Sequence, residues 1–543
     1  MSSHEPGGPT PPPYGPPHGS PYGPGPQNPY AQPEPPTQPS PQAQQQPDAG
    51  WLGGSPSPAP GGGGRGPFAG RRAVLVTALA VALLVVGGVV YAVAGGGHDA
   101  SPGPRADDAH SASPSGTPTV DKGDGKGPGG GPEPYDPNAG IQPGEGRVWL
   151  RENQTQLAGS GAEQFGPWRV GDVVVKAMHK EITGYSAADG TDKWKADLET
   201  PICGVPQGPA ANGKLVVGLF ESNAEKPHCT QLQQIDLTTG KLGWKVQVPK
   251  ENGFDTTNTF EMAITGDTVA VSRSAVWSGF SVTDGRKLFG TPKTGCSPSG
   301  FAGGSRLIGL RNCFDPKPAE VLEEVDPVTG EPKWSYTFEK GWRVGRVLSV
   351  DPLVVAALNS DKKVWGITAF TADGAVRSQS EARFGVNGRC NGYGRSDGLQ
   401  DCPGAVVDGD TLYLAGGKAG TSLGIDDTDE VIAVDLANGQ EKWHAAAPDK
   451  GRSMWPLAVE DHKVVVYIGD GAGHSGAMAT LAPTGGAPQV FLQSPAAARG
   501  PQSVFYPHGV HPAWLGGRLF LLNGRVQGPE PEKVDHALLS FGK

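Results

Sequence analysis

Ser186-Ala187-Ala188-Asp189-Gly190, followed four residues after its glycine by Trp194, is one copy of a pattern that recurs along the chain. Asp236-Leu237-Thr238-Thr239-Gly240 leads to Trp244, and Ser281-Val282-Thr283-Asp284-Gly285 to Phe289. Asp326-Pro327-Val328-Thr329-Gly330 leads to Trp334, and Asp435-Leu436-Ala437-Asn438-Gly439 to Trp443. Two degenerate copies, at Gly374 and Gly485, have Ser378 and Gln489 where the aromatic stands elsewhere. The seven glycines are separated by 50, 45, 45, 44, 65 and 46 residues. An Asp or Ser before a tight turn can accept bonds from the turn's own amides, and glycine supplies the left-handed conformation at little steric cost. The aromatic then falls early in the next strand, where it can pack on a neighbouring unit.

Each copy follows a short apolar run: 172–176, 214–219, 268–272, 306–310, 353–357, 411–415, 463–468 and, without a turn motif after it, 518–522. A period of about 40–50 residues with several short strands per unit predicts a β-propeller. Eight runs against seven turns leave the last unit one strand short. Arg147-Val148-Trp149-Leu150-Arg151, which precedes the first unit, reads like the missing strand. The prediction is an all-β, eight-bladed propeller over residues 147–543, its ring closed by that strand; seven blades is the alternative. Closure removes open sheet edges.

Upstream the composition changes. Residues 1–70 hold 21 Pro and 15 Gly, too little apolar surface to offset the entropy of ordering, and predict a disordered tail. Residues 73–94, from Ala73 to Ala94, carry no charge. At 1.5 Å per residue such a helix spans roughly 33 Å, enough for a bilayer core of about 30 Å. Arg65, Arg71 and Arg72 flank its N-terminal end, so the positive-inside rule places the tail in the cytoplasm and the propeller outside. Ala92-Val93-Ala94 looks like a cleavage site, but the apolar run is longer and later than a signal peptide's, which favours a retained anchor. Residues 95–146, rich in Gly, Pro, Ser and Asp, predict a flexible stalk. The tail's Pro-Tyr repeats, such as Pro13-Tyr14, make a cytoplasmic partner conceivable on polyproline II grounds.

All six cysteines lie beyond the apolar segment: Cys203, Cys229, Cys296, Cys313, Cys390 and Cys402. An even count on the outer side of a membrane predicts disulfides in an oxidising compartment. Of the fifteen possible pairings the sequential one is favoured, Cys203–Cys229, Cys296–Cys313 and Cys390–Cys402. The first two each straddle one apolar run, and the third lies in the long insertion between Gly374 and Gly439.

The net charge of -10 without a basic stripe argues against nucleic acid as a partner. Other constellations are weak. His508 and His511 sit in a proline-flanked loop, and Asp426-Asp427-Thr428-Asp429-Glu430 lacks the spacing of a calcium loop. Gly473-His474-Ser475-Gly476 lacks the nucleophile-elbow pattern. No catalytic, cofactor or metal residues are assigned, and the expectation is a binding module rather than an enzyme.

The turn-Gly-x-x-x-Trp repeat resembles that of the pyrroloquinoline-quinone (PQQ)-like propellers, here in a membrane-anchored bacterial protein. That family includes quinoprotein alcohol dehydrogenases, the BamB lipoprotein of the outer-membrane assembly machinery, and sensor domains of some receptor kinases. The resemblance implies the propeller fold. It also raises two rival functions, a PQQ-dependent dehydrogenase and a BamB-like assembly factor. The adjacent Cys-Cys pair of the dehydrogenases is absent here, as is a lipobox cysteine. The leading expectation is a cell-envelope binding, scaffold or sensor module whose ligand is an envelope protein or glycan.

Overall fold

The computed structural model describes residues 135–543 except 252, 254, 256, 257, 293, 294, 315–317, 360, 387–389, 391–397, 418–428, 472, 506–508 and 529–533. The expected tail, the membrane helix and residues 95–134 of the stalk therefore lie outside the described residues, as do His508 and residues 426–428. Among the described residues no helix is long and apolar enough to cross a membrane.

The described strands form eight antiparallel sheets, the blades of a propeller. Blade 1 is Ala162–Val170, Val173–Met178, Glu181–Ser186 and Asp192–Asp197, joined on its inner edge by Arg525–Val526. Blades 2 to 5 follow over residues 202–247, 261–290, 296–337 and 342–381, blade 6 over 385–446, and blade 7 over 454–493. In blade 8, Val510–Trp514, Arg518–Asn523 and His536–Gly542 are completed by Arg147–Glu152, whose six residues pair antiparallel with the chain's last strand. The ring therefore closes with the N-terminal strand in the C-terminal blade. Packing begins before that strand. Asn138 brackets Val148, its Nδ2 donating to the Val148 carbonyl at 2.9 Å and its Oδ1 accepting from the Val148 amide at 2.8 Å.

Burial along a blade explains its sequence. The second strands are buried along most of their length, and Val173–Met178 and Leu353–Asn359 at every position, because neighbouring blades cover both faces. Such strands read as apolar runs instead of alternating. The outermost strands are half exposed: in Asp192–Asp197 only Ala196 is fully buried. Each apolar run in the sequence is thus a blade's second strand, and each turn motif joins its third strand to its fourth.

The turns divide as their sequences do. In the five full copies the glycine amide bonds back four residues, as in Gly240 N to Asp236 O at 2.8 Å and Gly330 N to Asp326 O at 2.9 Å. In the two degenerate copies it bonds back three, Gly374 N to Thr371 O and Gly485 N to Ala482 O. The leading Asp accepts as expected: Asp236 Oδ1 takes the Thr238 amide at 2.9 Å and the Thr239 amide at 3.2 Å.

The aromatic of one blade lies on the turn glycine of the next. Trp194 covers Gly240, Trp244 covers Gly285, Phe289 covers Gly330, Trp334 covers Gly374 and Trp443 covers Gly485. Trp149, on the closing strand, covers Gly190 and supplies the same contact between blades 8 and 1. At Gly240 the backbone has φ +73°, and a methyl group there would lie 2.5 Å from the Trp194 indole. Gly240→Ala is therefore expected to cost about 2 kcal/mol through backbone strain and overpacking. Gly171→Ala (φ +59° with open space around it) is expected to cost about half of that. Urea midpoints of the two variants separate collision with the indole from strain alone.

Candidate functional site

The innermost strands of the blades converge on the propeller axis, where they enclose a cavity of about 720 Å³. Blades 1, 2, 3, 4 and 8 contribute lining residues from widely separated parts of the chain, and residues 398–401 add a further wall. Aromatic faces (Phe165, Trp168, Phe260, Phe301) alternate with polar groups (Glu163, Gln164, Glu261, His511, Asn523, Arg525). A surface of this kind, apolar faces with a few placed hydrogen-bonding groups, suits ligand recognition.

Backbone and side-chain bonds fix the lining. Gln164 Nε2 donates to the carbonyls of Asn523 at 2.8 Å and Ala537 at 3.1 Å, tying blade 1 to blade 8 across the closure. Trp168 Nε1 donates to Gln207 O at 3.0 Å, tying blade 1 to blade 2. Behind Phe260, the fully buried Arg273 places its guanidinium 5.9 Å from the ring centroid and pairs with the equally buried Asp255 at 2.9 Å.

Residues 398–401 belong to the insertion between the turn glycines 374 and 439, and they reach back to the axis. Gln400 forms a two-way bond with Gly303 of blade 4: Gly303 N donates to its Oε1 at 2.7 Å, and its Nε2 donates to Gly303 O at 2.9 Å. The Val347 amide of blade 5 donates to Leu399 O at 2.8 Å. Buried Arg346 donates to Asp401 O at 2.9 Å and Gly398 O at 3.0 Å. Leu399 is itself buried among blade 4 and 5 side chains. The Cys390–Cys402 disulfide closes this insertion on itself across 12 residues. Replacing both cysteines by serine is expected to cost about 2–3 kcal/mol through the freed loop. The same change should raise deuterium uptake at residues 398–401 ahead of the blades.

The other two bridges are Cys203–Cys229 in blade 2 and Cys296–Cys313 in blade 4. Among the described residues no cysteine is free. Of the two histidines weighed as a metal pair, His511 lines the cavity and His508 lies outside the described residues. Ser475 is buried and donates its hydroxyl to Pro495 O at 3.2 Å while His474 is exposed, so these neighbours do not form a nucleophile–base pair. Glu430 begins a blade 6 strand and faces His444, with an oxygen 3.0 Å from its Nδ1.

Sequence reasoning missed Arg346 and Gln400. Arg346 offered a signal, a charge between the apolar residues Val344 and Val347-Leu348, and the 65-residue glycine spacing marked the insertion. Titration is perturbed away from the axis: burial lowers the Lys176 pKa, opposed by Glu181 at 3.9 Å. Glu181 also binds Lys195 at 2.8 Å, which makes this cluster part of blade 1's own framework.

A quinone site of the dehydrogenase kind needs adjacent cysteines beside the cofactor and a convergent oxygen donor set for calcium. All six cysteines are bridged at separations of 26, 17 and 12 residues. Among the described residues no three of His, Cys, Asp and Glu group as metal ligands. The residues described do not fit that cofactor.

Residues 140–295 match the family model described as outer membrane protein assembly factor BamB. No curated protein sequence matches. Similar solved structures include the computationally designed Ika8 protein, at 10% identity and TM-score 0.43 over 72% of this chain and 100% of that one. A europium-containing methanol dehydrogenase is similar at 14% identity and TM-score 0.43 over 73% of this chain and 93% of that one. The β-propeller domain of Myceliophteria thermophila Cps50 (Swd1) is similar at 9% identity and TM-score 0.33, over 58% and 95%. With its repeat and its eight blades the chain is a β-propeller, and its residues 140–295 match the BamB family model.

Proposed function

We propose that the protein is a membrane-tethered binding module of the cell envelope that takes a protein segment or glycan into the axial cavity. The cavity carries the reading: five blades and the 398–401 wall bring aromatic faces, carboxylates and amides together in one place. Three disulfides support an oxidising compartment, and the apolar segment from Ala73 to Ala94 supports the tether. Binding is the proposed role, not catalysis. An assembly-factor role is a narrower version of it, favoured by the description of the family model over residues 140–295.

A photo-crosslinking residue at Thr259, exposed beside the cavity, tests this in the full-length protein in intact cells. The reading expects one discrete envelope adduct, lost when Glu261→Lys is added and absent from a probe at Val376 on the outer edge. Equal adducts from both positions would contradict it. Labelling of exposed Lys362 by a membrane-impermeant amine reagent tests the orientation: the reading expects labelling of intact cells, and protection until lysis would reverse it.

A further inference from the structure

Blade 7 ends in an outer strand unlike the other seven. Each of those carries lysine or arginine, as Lys193 and Lys195 do in blade 1, Lys333 in blade 4 and Arg377 in blade 5. Gln489-Val490-Phe491-Leu492-Gln493 carries no charge. Charge on a sheet edge, lysine above all, keeps foreign strands from adding to its free N–H and C=O groups. This edge lacks that protection.

Its side chains favour contact as well. Val490 is 51% and Phe491 39% exposed, and among the described residues no other two exposed large apolar side chains are neighbours in the chain. Phe491 has no register partner on the third strand, Ala477–Leu481, and its ring meets Trp514 of blade 8 edge-on at 5.8 Å between centroids. The far end of the edge is taken. The Gly146 amide donates to Gln493 O at 2.8 Å, and Glu145 forms a parallel bridge with Gln493. The edge therefore accepts an added strand, and Gln489-Val490-Phe491 is left for one from outside.

That stretch is self-complementary. Antiparallel pairing about a two-fold axis through Val490 sets Val490 against its own copy and Gln489 against Phe491, with no charge on either side. The same operation on blade 1, about Trp194, sets Lys193 against Lys195, and like charges opposite each other destabilise a sheet. A three-residue ladder falls far short of the roughly 1,200 Å² of a stable interface, so it acts between copies confined to one surface. The apolar segment from Ala73 to Ala94 supports that confinement.

We propose that two copies of the chain pair edge to edge through Gln489–Phe491 of blade 7, side by side on one membrane. The pairing rests on the proposed tether and is independent of what the axial cavity binds.

All six native cysteines are bridged, so Val490→Cys introduces the only free thiol. The full-length variant in intact cells is treated with a short bis-maleimide. The proposal expects a covalent product of twice the chain's mass, at least tenfold more than from Val376→Cys on the outer strand of blade 5. Adding Gln489→Lys gives this edge the charge the others carry and removes only a bond to Ala487 O at 3.2 Å. It should cut the yield at least tenfold. No product, a product of another mass, equal yields from the two cysteines, or a yield that Gln489→Lys leaves unchanged would overturn the proposal. Labelling of Lys362 reports the tether separately, so loss of the dimer with normal labelling counts against the edge alone.

Discussion

A chain from which residues 147–152 are deleted is expected to lose its cooperative unfolding transition or to retain it at greatly reduced stability. This strand is paired along its whole length with His536–Gly542, and without it blade 8 presents a bare edge. Trp149 is buried, meets Phe520 at 5.9 Å between ring centroids, donates to Ala187 O at 3.1 Å and covers Gly190. Losing a buried tryptophan alone costs about 3–5 kcal/mol. With Val148 and the strand's ladder the total is on the order of 5–10 kcal/mol, comparable to the stability of a whole domain. Urea unfolding followed by tryptophan fluorescence measures it. A synthetic peptide of residues 135–152 added to the deleted chain should restore part of the transition, since the missing edge is the only element removed.

Removing one partner of the Arg273–Asp255 pair is expected to cost about 3 kcal/mol, because both side chains are fully buried and the survivor keeps its charge. Arg273 retains bonds to Pro249 O at 2.8 Å and to the Ser278 hydroxyl at 3.4 Å, and these do not neutralise it. Nearby Glu251, which accepts from Ser278 at 3.0 Å, softens the loss without replacing a partner bonded at 2.9 Å. Asp255→Ala measures the cost. Combining it with Arg273→Met should cost less than Asp255→Ala alone, since an apolar pair leaves no stranded charge. A double variant that instead sums the two single losses would show that the pair acts through packing, not charge.

The blades were legible in the sequence because each is a local unit. A turn glycine, the acceptor before it and the aromatic after it all lie within nine residues, so Gly240 and Trp244 announce themselves without knowledge of the fold. The closing strand was legible by arithmetic, as the piece one unit lacked. Trp149 was not counted with the blade aromatics because no turn motif precedes it: blade 8 takes its third strand from His536–Gly542 and its fourth from Arg147–Glu152. The disulfides followed from sequence proximity, since each bridges strands or loops of one blade.

The candidate sites were not legible, for a topological reason. Gln164 and Asn523 meet at the axis although 359 positions separate them, and no local pattern records such a meeting. Leu399 and Gln400 lie in a stretch with little strand character, and only the fold shows that they return to blades 4 and 5. Ser378 read as a degenerate repeat. That it keeps the indole's hydrogen bond depends on Leu436, which belongs to the next blade.

Native-state hydrogen exchange read by mass spectrometry tests the closed ring most directly. If Arg147–Glu152 completes blade 8, its amides exchange as slowly as those of Arg518–Asn523 and His536–Gly542 and are released with them as denaturant rises. Exchange of residues 147–152 within seconds, while the other blade 8 strands stay protected, would mean that the ring is open and the closure wrong.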